Sequence, residues 1–90
     1  MKYFYAIVHK DPDSAFGVQF PDLPGCFSAA DDIADIVPNA CEALALYFED
    51  SDEIAPSSID QVREMAADDI DDGAFIMAVP WITTSTRSPA

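Results

Sequence analysis

Ninety residues leave room for one small domain, and an apolar fraction of 50%, including six Phe, three Tyr and one Trp, gives that domain the means to build a core. Seventeen Asp and Glu oppose four Lys and Arg, a formal charge of −13 that repels phosphate backbones and anionic membranes and favours a basic partner. No apolar run reaches the ~18 residues needed to span a bilayer, so neither direct nucleic-acid binding nor a membrane role is expected of this chain.

Tyr3 to His9 is an unbroken β-prone run that stops at Lys10-Asp11-Pro12-Asp13-Ser14, where Pro12 presets its φ and the Asp and Ser side chains bond nearby backbone. In Ala15 to Phe20 the large residues Phe16, Val18 and Phe20 alternate with Ala15, Gly17 and Gln19, the period of a strand with one buried face. The short turn between the two runs predicts an antiparallel hairpin. Pro21-Asp22-Leu23-Pro24-Gly25 then ends the second strand, with Gly25 free to take positive φ. A short third strand follows over Cys26 to Ala29, and Asp31 or Asp32 is placed to cap a helix.

From Ile33 to Phe48 the apolar residues Ile33, Ile36, Val37, Ala40, Cys41, Leu44, Tyr47 and Phe48 recur at steps of three and four, one face of an α-helix packed on a sheet. Pro38 lacks an N–H, so this helix is predicted to bend or to start late, near Val37. Between Glu49 and Asp72 stand ten of the seventeen acids, opposed only by Arg63. Within that stretch Ser58 and Gln61 have capping-box spacing, and Ile59, Val62 and Met65 form the buried stripe of a short second helix. Asp71-Asp72-Gly73 closes it, and Ala74 to Trp81 reads as an apolar strand lying inside a sheet. The order is β-β-β-α-(α)-β, an α+β domain with a curved antiparallel sheet and helices packed on one face. The domain spans residues 1–82, with a frayed polar tail at 83–90.

Met1-Lys2 runs straight into the aromatic segment with no cleavage-site pattern, and two cysteines make no disulfide framework, so a cytoplasmic protein with reduced thiols is expected. Catalysis finds no constellation. A metal-dependent hydrolase needs acids projecting together from rigid elements, yet the predicted strands contain no Asp or Glu. Asp68 to Gly73 has the look of a calcium loop, but Ile70 and Val79 stand where ligands are required, and a solvated acidic face is the reading adopted. Cys41 lies on the apolar helix stripe, Cys26 reads as a small buried residue, and neither forms with His9 a recognised nucleophilic or zinc pattern. No enzyme activity, catalytic residue, cofactor or metal is therefore expected. Trp81 admits two roles, a cover for the rim of the core or an interface aromatic.

The string Phe20-Pro21-Asp22-Leu23-Pro24-Gly25-Cys26-Phe27, followed by the acidic cap and by Asn39-Ala40-Cys41-Glu42-Ala43-Leu44-Ala45-Leu46-Tyr47, resembles the HicB family of antitoxins. Pro56-Ser57-Ser58 and the closing strand Ala74 to Val79 fit the same resemblance, which covers roughly residues 3 to 81. It implies a βββαβ domain related to a degraded ribonuclease H-like fold without its catalytic acids. It also implies a partner, a HicA toxin: a small basic ribonuclease with a double-stranded-RNA-binding fold that cuts messenger RNA. Family antitoxins usually repress their own operon through a C-terminal ribbon-helix-helix or helix-turn-helix module. The nine residues after Trp81 are too few for either, so repression by this chain alone is not expected. Ala30 stands where the family commonly has Gly, and Pro38 interrupts a helix that usually runs smoothly.

Charge and resemblance meet on one mechanism, a type II antitoxin that occludes a basic HicA-like toxin by competing with RNA phosphates for its surface. Asp31, Asp32 and Asp35 at the helix start, Glu49, Asp50, Asp52 and Glu53 at its end, and Trp81 are the expected toxin-facing residues. A homo-oligomer, dimer or tetramer, is also expected. The competing reading is an orphan domain that self-associates through a sheet edge or the Trp81 rim and has no toxin.

Overall fold

The computed structural model describes residues 2–10, 12–49 and 54–81. β1 (Lys2–Lys10), β2 (Phe16–Gln19), β3 (Phe27–Ala30) and β4 (Phe75–Trp81) form a sheet of order β3-β2-β1-β4, antiparallel throughout. The predicted hairpin holds, with Val8 opposite Val18 and Lys10 opposite Phe16, and Asp13 at φ 65 in its turn. The apolar β4 run is not interior: it lies at an edge beside the central β1. Pro80, which has no ladder donor to offer, suits that place.

Between β2 and β3 the chain makes two successive turns, closed by Leu23 N–H to Phe20 C=O and Cys26 N–H to Leu23 C=O, each 3.0 Å. Pro24 and Gly25 occupy the centre of the second, and Gly25 takes φ +87 as a Pro-Gly turn of this kind requires. Leu23, between the turns, is fully buried.

A 3₁₀ turn over Ile33–Asp35 leads into α1 (Ile36–Tyr47). The late start predicted from Pro38 is what forms. Pro38 falls in the first turn of α1, where a missing N–H breaks no intrahelical bond. The expected Asp cap does not form through a side chain. Asp32 contributes its backbone carbonyl, which accepts from Asp35 N–H at 3.0 Å, and its carboxylate makes no capping bond. Ile33, predicted on the buried stripe, sits in the 3₁₀ turn and is exposed.

α2 (Ile59–Met65) starts with the capping box foreseen at Ser58: Gln61 N–H donates to Ser58 Oγ at 3.2 Å and Ser58 N–H to Gln61 Oε1 at 3.0 Å. The predicted single helix breaks at Ala66, and α3 (Ala67–Asp71) follows. It ends in a Schellman closure, with Gly73 at φ +104, Gly73 N–H on Ile70 C=O and Ala74 N–H on Asp69 C=O. Met65 is exposed, and Ala66 takes the buried place beside Val62.

Alternation along β1 divides the interior into two clusters. Phe4, Ala6 and Val8 join Val18, Phe20, Leu23, Val79, Trp81 and the α1 residues Ile36, Ala40 and Leu44. Ile7 points the other way, with Val62, Ala66 and Ala74, and with Tyr5, Ile70 and Ile76 packed against them. The α+β sheet with helices is as expected, but the helices divide: α1 covers one face, while α2 and α3 cover part of the other. The stripe of a helix says that it packs on a sheet, not on which face.

Candidate protein-interaction face

The charge distribution along the chain sets the character of the surface. Between Lys10 and Arg63 stand twelve carboxylates and no Lys or Arg. That stretch includes β2, β3 and α1, so these elements contribute acid and no cation; from β1, Lys10 reaches over the Phe16 ring of β2 with Nζ 5.7 Å from its centroid.

Asp31, Asp32 and Asp35 lie exposed where β3 passes into α1, and Glu49 lies exposed just past the other end. The twelve-residue helix between them is about 18 Å long, so the two predicted acidic groups sit at opposite ends of one element and are not brought together. Asp50, Asp52 and Glu53 fall outside the described residues, as does the tail at 83–90. Trp81 is only 8% exposed. Its ring stacks on Phe48 with centroids 5.2 Å apart, and Phe48 in turn meets Phe4 at 5.7 Å. That burial fits the cover of the core rim, the first of its two expected roles. Its indole N–H is buried without a partner among the described residues.

Two residues outside the sequence expectation are far more exposed. Phe27, at the start of edge strand β3, is 65% exposed, and Leu46, on α1, is 61% exposed. Between β3 and α1 runs an open groove of about 290 Å³, lined by Gly25, Cys26, Phe27, Ala43, Leu46 and Tyr47. Two bonds hold its sides. Asn39 Nδ2 donates to Ala29 C=O at 2.9 Å, and the Cys26 thiol lies 3.8 Å from Ala43 C=O. Burial pushes both cysteine thiols up from their ordinary value, which disfavours a reactive thiolate at either. A second, smaller hollow, bordered by His9, Gly17, Gln19 and Phe27, opens on the opposite face of the β2–β3 ladder. Phe27 borders both.

One signal in the sequence points to Leu46: it is a large apolar residue off the stripe of α1, with Glu42 one turn before it and Glu49 one turn after. Phe27 offers no such signal, since Cys26 to Ala29 lacks the alternation that assigns faces.

Asp22 has a structural task instead. Its carboxylate, half-buried, accepts from Ser57 N–H at 2.8 Å and Ser57 Oγ–H at 2.6 Å, tying the Pro-rich turn of one motif to the Pro-Ser-Ser segment of the other. Asp68 to Gly73 forms α3 and its closing turn. Among the described residues no group of three or more His, Cys, Asp and Glu is placed to hold a metal. Nor is any described helix long and apolar enough to cross a membrane.

Residues 4–86 match the family described as HicB-like antitoxin of bacterial toxin–antitoxin systems. A 14.9 kDa protein of Haemophilus phage HP1 (strain HP1c1), from its rep-hol intergenic region, is 37% identical over 57 residues. That alignment spans 60% of this chain but 43% of the phage protein, less than half its length. Among solved structures, the antitoxin HicB of Burkholderia pseudomallei superposes with a TM-score of 0.71 at 31% identity, covering 98% of this chain and 67% of that one. A chain of the HicA3 and HicB3 toxin–antitoxin complex superposes with a TM-score of 0.74 over 90% of this chain and 99% of its own; at 24% identity that likeness is one of fold.

Proposed function

The chain belongs to the HicB-like antitoxins of bacterial toxin–antitoxin systems, and on that premise we propose that it binds and occludes a small basic HicA-type ribonuclease that cleaves messenger RNA. The observation that carries this is the segment from Asp31 through α1 to Glu49, which exposes five carboxylates and contains no Lys or Arg, on a chain of charge −13. A ribonuclease must attract RNA phosphates with Lys and Arg, and carboxylates set against those same groups compete for them directly. Occlusion requires no bond to be made or broken, so the antitoxin needs neither a catalytic residue nor a cofactor. Asp31, Asp32, Asp35 and Glu49 are the carboxylates assigned to the toxin.

The test is a binding titration of the purified chain against the small basic protein encoded beside it, repeated across salt concentrations, with RNA cleavage followed in parallel. Tight binding that weakens as salt rises and that stops cleavage supports the proposal. No binding at low salt refutes it.

A second reading, a domain that self-associates without a toxin, draws on the two sheet edges, β3 and β4, that lie at the ends of the strand order. Two copies each carrying −13 repel, which disfavours it. The absence of a small basic reading frame nearby, with a stable dimer or tetramer in solution, would revive it.

A further inference from the structure

We infer that the groove between β3 and the C-terminal half of α1 is the docking site for an apolar side chain of the basic toxin, flanked there by Lys or Arg. The inference rests on the toxin-binding reading above and names its central contact. Four observations place it. The floor is made of small residues: Cys26 is buried and Ala43 half-buried, leaving an open space of about 290 Å³. Leu46 stands at its margin, 61% exposed, the one exposed leucine among the described residues. Such a slot is too open to enclose a metabolite but suits an inserted side chain.

The rim then specifies the partner. Glu42 and Glu49 lie one turn to either side of Leu46 on the exposed flank of α1, and no Lys or Arg occurs between Lys10 and Arg63. An apolar centre with a charged margin is the anatomy of a protein interface, and here the margin has one sign. A second copy of this chain would bring more carboxylates to the same rim. A basic protein brings their complement. The site is also rigid, because α1 is bound to β3 by Asn39 and to the turn before it through Cys26. Docking there costs little ordering.

Leu46→Gln removes the apolar margin with a side chain suited to a helix, and Phe27→Thr alters the opposite face of the sheet as a control; both positions are exposed, so circular dichroism and thermal midpoint should match the parent. Leu46→Gln is expected to weaken toxin binding at least tenfold, by a similar factor at low and high salt, and Phe27→Thr to leave it within twofold. Glu42→Gln combined with Glu49→Gln is expected to weaken binding mainly at low salt. Binding of Leu46→Gln within twofold of the parent, or an equal loss in Phe27→Thr, would overturn the groove assignment while leaving the antitoxin reading intact. A parent chain that fails to bind the toxin defeats the antitoxin reading and the groove with it. If Leu46→Gln lowers the solution mass of the free chain, measured by light scattering, the groove is covered by a second copy and the assignment is wrong.

Discussion

On the inner flank of α1, Ile36, Ala40 and Leu44 are fully buried in the cluster that holds Phe4, Val18, Val79 and Trp81. On its outer flank Glu42, Leu46 and Glu49 face solvent. Leu44 and Leu46 are the same residue type, two positions apart on one helix. The hydrophobic effect is spent on folding in the first case and left available in the second. Aromatics divide in the same manner: Phe48 and Trp81 stack within the core, while Phe27 stands on the surface. On the proposed docking, stability and recognition belong to different flanks and should be separable by substitution.

The sharpest way to break that separation is to truncate the two leucines in turn. Leu44→Ala is expected to cost about 2–5 kcal/mol, from lost transfer energy and the cavity left behind. Leu46→Ala is expected to change stability by less than about 0.5 kcal/mol. Urea unfolding midpoints of the pair decide it. Equal losses would mean that Leu46 belongs to the core and that the two flanks do not differ.

Next comes the tie that holds the turn bordering the groove. Asp22→Ala removes the acceptor of two bonds from Ser57 and is expected to cost about 1–3 kcal/mol in the same measurement. A smaller loss, about 1 kcal/mol, is expected for Ser58→Ala, which removes the capping box of α2, the helix packed behind Ile7. Ser58→Ala should leave toxin affinity unchanged, and a parallel loss of affinity would extend the interface to the other face of the sheet.

The smallest effect concerns the cysteines. Burial raises both thiols above the ordinary 9.0, so the folded state favours their neutral form. Their contribution is complete below that value and is lost as pH rises from it through the raised value of the folded state. Stability should therefore fall above about pH 9 less steeply in the Cys26→Ala, Cys41→Ala double variant than in the parent. Identical slopes would show that the thiols do not contribute.

The fold was legible where its determinants are local. The β1–β2 turn, the Pro24-Gly25 turn, the Ser58–Gln61 box and the Gly73 closure each depend on a few neighbouring residues whose chemistry admits one backbone path. Pro38 belongs with them, since its missing N–H is harmless only in a first turn, and α1 starts accordingly. What escaped was non-local. An apolar run such as Phe75 to Trp81 fits an interior or an edge strand equally well, and only its pairing with β1 places it at the edge. The amphipathic stripe of α2 does not say that it packs behind Ile7 and not beside α1. Charge alone drew attention to the acids at the ends of α1, while the groove needed β3 and α1 brought side by side before Cys26, Ala43 and Leu46 came to line it.

Amide hydrogen exchange of the chain, free and bound to the small basic toxin, tests the division of flanks most directly. Toxin binding through the outer flank predicts new protection at Phe27 and from Ala43 to Glu49, with little change along β4 or across α2 and α3. Protection concentrated on the β4 edge or on the α2–α3 face, with Phe27 and Leu46 unaffected, would contradict it.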